Sequence, residues 1–214
     1  MFWLFGIYPS SSPIRYPCTM APGRTKLRLL LLPWLWTVLA GCHAQSAAPK
    51  PQPPATVLII RHAEKLDNGE SDLSFAGFGR AGLLPKAFYP GGSLPTPQVI
   101  FAAAESAHSN RSVQTVTPLA AALHLSVNDR FANNEYNVLA AELLSGKYAG
   151  KVVLVAWHHG KIPQLAAALG ATPPYNPWPA QQYDRIWRID YINGKATLQD
   201  LPYPIPLAEP SSKP

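Results

Sequence analysis

Residues 152–156, Val152-Val153-Leu154-Val155-Ala156, carry no polar side chain on either face. Side chains alternate across a strand, so such a strand is covered on both sides, the condition met in parallel sheets packed between helices. Two further runs suit the same sheet: Val57-Leu58-Ile59-Ile60 and Gln98-Val99-Ile100-Phe101-Ala102-Ala103. Between and after them the apolar spacing predicts helices. The first covers 73–88, capped by Ser74 and weakened by Gly77, Gly79 and Gly82. The second covers 110–124, with Pro118 kinking it or ending its first part. A third covers 136–144 and stops near Gly146, and a fourth covers 162–169 and stops at Gly170. Residues 185–191 then alternate apolar and polar, and 196–201 pair with them across Asn193-Gly194, a strong hairpin signal. The expected fold class is α/β: three layers, α/β/α, with a mostly parallel central sheet.

The two ends of the chain read differently. Residues 1–19 fit no part of a signal peptide, and Met20 makes a better start, so they read as an over-extended gene start. Arg24, Lys26 and Arg28 precede an apolar stretch over 29–40 that is too short for a comfortable membrane span. Leu39-Ala40-Gly41-Cys42 closes it, and residues 20–41 are expected to be a signal peptide. Residues 42–55, rich in Ala, Pro and Gln, form a tether; 56–208 form one domain; 209–214 form a loose tail. Four of the 18 Lys and Arg residues precede Cys42 and none of the 12 Asp and Glu do. The formal charge of +6 therefore becomes +2 once that segment is removed, which gives no electrostatic reason to expect nucleic acid as a partner. With Cys18 outside the protein, Cys42 is the one cysteine left, so no disulfide forms within the chain.

The three buried strands share a second property: each runs into unusual polar residues. The first gives Arg61-His62, the second leads to Glu105, Ser106, His108, Ser109 and Arg111, and the third gives His158-His159. Parallel strands end at one edge of the sheet, so these residues can converge on one pocket. Two arginines with two or more histidines suit a phosphate dianion, because guanidinium forks match phosphate oxygens and helix starts add backbone donors. The plain alternative is a set of strands ending in solvated turns. A metal at His158-His159 is disfavoured, since adjacent positions rarely chelate one ion together; no cofactor is expected.

Arg61-His62, Ser109-Asn110-Arg111-Ser112-Val113-Gln114-Thr115 and Trp157-His158-His159-Gly160-Lys161-Ile162, in this order, resemble the histidine phosphatase superfamily, which includes the phosphoglycerate mutases. Leu39-Ala40-Gly41-Cys42 resembles the bacterial lipobox. The first resemblance implies a phosphoglycerate mutase-like fold and a metal-independent phosphomonoesterase. His62 would accept the phosphoryl group, with Arg61 and Arg111 as phosphate ligands and a late histidine stabilising the transition state. Neighbours at a strand end point to opposite faces, so one of His158 and His159 enters the pocket; the family pattern Trp-Glu-His favours His159. The second resemblance implies cleavage before Cys42, lipidation of its thiol and, with His43 following, an outer-membrane anchor facing the periplasm.

The proton donor is the open role. Glu135 stands where the family often keeps its acid, although a carboxylate at a helix start is also favoured by the helix dipole alone. Glu64, two residues past His62, is the second candidate. Ala63-Glu64-Lys65 departs from the glycine that follows the histidine in the best-known members, and there is no long insertion between Arg111 and Lys151 to act as a mutase lid. The expected function is hydrolysis of a small phosphorylated substrate by a monomer in the cell envelope. The alternative is a non-catalytic lipoprotein that binds a phosphorylated or other anionic ligand in the same pocket.

Overall fold

The computed structural model describes residues 51–204 apart from 67, 89 and 90. The proposed leader, Cys42 and the tail at 209–214 lie outside the described residues. The elements are β1 (Thr56–Arg61), α1 (Phe75–Leu83), a 3-10 turn (Leu84–Phe88), β2 (Val99–Ala103), α2 (Arg111–Leu123) and β3 (Val127–Phe131). They continue with a 3-10 turn (Asn133–Glu135), α3 (Tyr136–Leu144), β4 (Val152–Trp157), α4 (Ile162–Ala168), β5 (Arg185–Ile192) and β6 (Lys195–Pro202).

The strands form one sheet in the order β3-β2-β4-β1-β5-β6. β1 to β4 are parallel, and β5 and β6 add an antiparallel hairpin beside β1. The expected mostly parallel α/β sheet is what the chain builds. Alternation sorts the core into two layers. Val57, Ile59, Phe101, Val153, Val155 and Trp157 face α3 and α4, whereas Leu58, Ile60, Ile100, Leu154 and Ala156 face α2. β1 and β4 occupy the middle of the sheet, which is why 57–60 and 152–156 carry no polar side chain.

Three expectations need correction. β3 is not announced by the residue pattern, because Val127-Asn128-Asp129-Arg130-Phe131 is mostly polar; it is an edge strand with little surface to bury. α2 continues from Arg111 through Pro118 to Leu123, so Pro118 does not end it. The first helix is shorter than 73–88: it ends at Leu83 and tightens into a 3-10 turn around Pro85. The Asn193-Gly194 hairpin is as expected, both residues taking positive φ (53° and 76°).

Ser74 caps α1 by accepting a hydrogen bond from Gly77 N at 3.1 Å. A Cβ at Gly77 would stand 2.3 Å from the carbonyl oxygen of Glu64, so this glycine lets α1 press against the chain just past His62. Gly79 and Gly82 face open space. Gly77→Ala is therefore expected to cost about 1–3 kcal/mol through overpacking. Gly79→Ala and Gly82→Ala should each gain up to about 1 kcal/mol by restricting the unfolded chain. Urea unfolding of the three variants checks this; a neutral Gly77→Ala would show that the contact does not constrain α1.

Candidate active site

β1 and β4 pair in parallel from Thr56↔Val152 to Arg61↔Trp157. One residue further on, the same register sets His62 beside His158. Their ring centroids lie 5.3 Å apart, edge to face, and His62 N donates to the carbonyl of Trp157 at 3.0 Å. The histidine brought against His62 is thus His158, which corrects the choice of His159. Both strands read apolar-apolar-apolar-apolar, then Arg61-His62 or Trp157-His158. Aligning them as neighbours would have singled out His158.

His62 is 2% exposed. Its Nδ1 lies 2.7 Å from the carbonyl oxygen of Ala63, a contact in which Nδ1–H donates and Nε2 keeps the lone pair. The following backbone is fixed from α2. Ala63 N donates to Thr115 Oγ1 at 2.9 Å, and the Thr115 hydroxyl donates to the carbonyl of Arg111 at 2.7 Å. Burial pushes His62 down to about 2, helped by the charges of His158, Arg61 and Arg111 and opposed by the Ala63 bond. Burial, then Arg111, His159 and Arg61, push His158 down to about 4. Both rings are neutral at pH 7.

Arg61 is also 2% exposed. Its Nη1 donates to the carbonyls of Ala180 and Gln182, and its Nη2 donates to the Tyr183 hydroxyl at 3.1 Å. The guanidinium carbon lies 3.8 Å from the centre of the Tyr183 ring. Arg111 Nη1 donates to the carbonyl of Glu70 at 2.8 Å. Burial is the largest influence lowering the pKa of both arginines. The Nε of each is buried without a hydrogen-bond partner. Neither guanidinium is hydrogen-bonded to a carboxylate among the described residues, although the charge of Glu64 acts on Arg61 and that of Asp72 on Arg111, so the site is a cationic cluster with donors to spare. An anion is the ligand that such a cluster stabilises.

The two carboxylates proposed as acids are occupied elsewhere. Both oxygens of Glu64 take hydrogen bonds from Arg80, at 2.9 and 3.0 Å from Nε and 2.5 Å from Nη2. Glu135 is exposed and accepts from Ala132 N at 2.8 Å, capping the turn that follows β3. That turn is at the carboxyl edge of the sheet, but β2 and β4 stand between β3 and β1. His159 is half-buried, with its Nδ1 unpartnered. The structure therefore gathers His62, His158, Arg61 and Arg111; Glu64 acts on Arg61 by its charge while hydrogen-bonded to Arg80, and Glu135 is not brought to them.

Sequence reasoning missed Thr115 and Tyr183. Thr115 stood in the motif beside Arg111 without an assigned role. Tyr183 precedes β5, whose start is brought to the carboxyl end of β1 by the antiparallel pairing Ile60↔Ile186. Its ring centroid is 6.2 Å from that of His62.

No family model and no curated protein matches this chain. Solved structures do. A candidate alpha-ribazole-5'-P phosphatase from Escherichia coli is 18% identical, covering 69% of this chain and 96% of its own, with a TM-score of 0.50. A phosphoglycerate mutase from Plasmodium falciparum is 14% identical, covering 74% of this chain and 97% of its own, with a TM-score of 0.49. A phosphoserine phosphatase from Entamoeba histolytica is 14% identical, covering 67% and 94%, with a TM-score of 0.46. The match to the Escherichia coli protein shows a common fold; the chemistry has to be argued from the site.

The neutral histidines have a consequence for stability. Below the ordinary histidine pKa of about 6.5, the unfolded chain binds protons that folded His62 and His158 refuse. Stability should therefore fall as pH drops from about 6.5 toward 4, by roughly 1.4 kcal/mol per pH unit for each of the two. Urea unfolding of the wild type and of His158→Gln between pH 7 and 5 measures this. The variant should lose about half of the pH dependence assigned to the pair, and an unchanged slope would contradict the burial assigned to His158.

Proposed function

We propose that this chain is a metal-independent phosphomonoesterase of the histidine phosphatase type, acting on a small phosphorylated substrate through phosphorylated His62. The observation that carries the reading is a buried neutral imidazole whose Nδ1–H is committed to Ala63. It stands beside His158 and two guanidiniums whose buried Nε atoms lack partners. Nε2 attacks phosphorus, the ester oxygen leaves, and water then hydrolyses the phosphohistidine. Arg61 and Arg111 hold the phosphoryl oxygens as charge redistributes, and the N–H of His158 donates to one of them. Because both arginines are already fixed by carbonyls, little reorganisation is needed when the phosphoryl group arrives.

Full-length protein assayed on a panel of phosphomonoesters, with acid quench during turnover, tests this. Wild type should yield acid-labile phosphohistidine at His62. His62→Ala should lose it, and turnover should fall by at least about a thousandfold; His158→Gln should lose about a hundredfold. The alternative of a non-catalytic anion binder draws on one observation, that Glu64 and Glu135 are both engaged outside the site. Vanadate binding with neither turnover nor phosphohistidine would select it.

We also propose that the chain is exported and held at the outer membrane, facing the periplasm, by lipid on Cys42. The sequence Leu39-Ala40-Gly41-Cys42 supports this. In a bacterium with two membranes, radioactive palmitate should label the wild type and spare Cys42→Ala. Label retained by the variant would overturn the anchor.

A further inference from the structure

Ester hydrolysis at His62 needs a proton for the departing oxygen, because an alkoxide is a poor leaving group. The carboxylates that sequence offers for this are spent on Arg80 and on the Ala132 amide. His158 is neutral and half-buried, and its one N–H is committed to a phosphoryl oxygen in the proposed reaction. Ser106 and Ser109 accept hydrogen bonds from backbone amides of their own loop.

One hydroxyl does stand inside the cluster. Tyr183 Oη accepts from Arg61 Nη2 at 3.1 Å, and no described group accepts its own O–H. The ring neighbours His62 at 6.2 Å between centroids, and the Arg61 guanidinium lies over it at 3.8 Å. The charge of Arg111 also interacts with this tyrosine. A tyrosine hydroxyl both accepts and donates, so a bond already accepted from a cation leaves the proton available.

We propose that Tyr183 is the general acid and base of this site, which extends its substrates to phosphate esters of poorly leaving alkyl alcohols. This rests on the reading of His62 as phosphoryl acceptor. In the first half, His62 Nε2 forms the N–P bond and the P–O ester bond breaks. The Tyr183 proton passes to the leaving oxygen, giving the free alcohol and a phenolate held by Arg61. In the second half, water attacks phosphorus, its proton returns to the Tyr183 oxygen, and the N–P bond breaks to release hydrogen phosphate. Protons and charge balance over the cycle, and no further reactant is needed.

The test compares full-length wild type and Tyr183→Phe on p-nitrophenyl, phenyl and glyceryl phosphates, reading kcat/KM against leaving-group acidity. The aryl esters depart without much help; the alkyl ester does not. Tyr183→Phe should lose about a hundredfold more on the glyceryl than on the p-nitrophenyl ester. Equal losses on all three, as from a displaced Arg61, or no loss on any, would overturn the assignment while leaving His62 labelled. A wild type without turnover would instead defeat the phosphatase reading and this proposal with it. If Tyr183→Phe fails to fold, 3,5-difluorotyrosine at position 183 keeps the ring and the hydroxyl. It should change kcat/KM on glyceryl phosphate relative to p-nitrophenyl phosphate, and an unchanged ratio would also overturn the proposal.

Discussion

The site depends on the register between β1 and β4. Six consecutive pairs, Thr56↔Val152 to Arg61↔Trp157, lock two strands whose side chains are buried on both faces nearly throughout. A slip of one residue would turn Val57, Ile59, Val153 and Val155 into the wrong layer and reverse the sides on which the terminal residues emerge. Each such side chain is worth about 1.5–3 kcal/mol on burial, so the core holds the register with far more energy than the site itself could supply. His62 and His158 gain their relation from that pairing. Arg61 gains its partners from the other neighbour, because β5 runs antiparallel and delivers the segment 180–183 to the same end of β1.

Setting two guanidiniums and two imidazoles at one edge, Arg61 and His62 buried and Arg111 and His158 half-buried, is costly, and the molecule meets the cost unevenly. Arg61 has two carbonyls, a hydroxyl and an aromatic face; Arg111 has one carbonyl. The histidines respond by giving up their protons. Glu64 and Asp72 act on Arg61 and Arg111 through their charges, but Glu64 gives both of its oxygens to Arg80 and Asp72 takes its hydrogen bonds from Asn110 and Gln114. The result is a positive site in which neither guanidinium is hydrogen-bonded to a carboxylate among the described residues. In the proposed reaction a phosphoryl dianion would supply the missing charge, and the neutral imidazole would meet it as a nucleophile.

Much of the layering was legible in the residue pattern, because long buried strands and the Asn193-Gly194 turn leave little choice of structure. β3 was not, since an edge strand of five residues buries too little to impose alternation on Val127-Asn128-Asp129-Arg130-Phe131. Pro118 looked like a breakpoint because a single lost hydrogen bond is visible in sequence, whereas the packing of Val116, Leu119 and Ala120 that keeps α2 whole is not. At the site, Arg61, His62 and Arg111 were readable because they adjoin unmistakable elements. The choice between His158 and His159 turned on a family pattern, although strand register decides which side chain faces which neighbour.

Tyr183 was invisible for a different reason. Its place follows from a contact across more than a hundred residues, and the preceding segment has no periodicity to announce it. Glu135 shows the converse: a position that suited a family role is taken up by a local one, the cap on Ala132. The two cases share a cause. A carboxylate near a turn finds backbone donors within its own loop and settles there, as Glu135 does. A phenol has a rigid body to pack and a single oxygen, so what fixes its hydroxyl is where the ring lies. Here the ring lies against Arg61, and the hydroxyl follows it into the site. Where the proton chemistry sits in this fold is therefore set by stacking on a buried arginine, while the acidic residues nearby serve the scaffold.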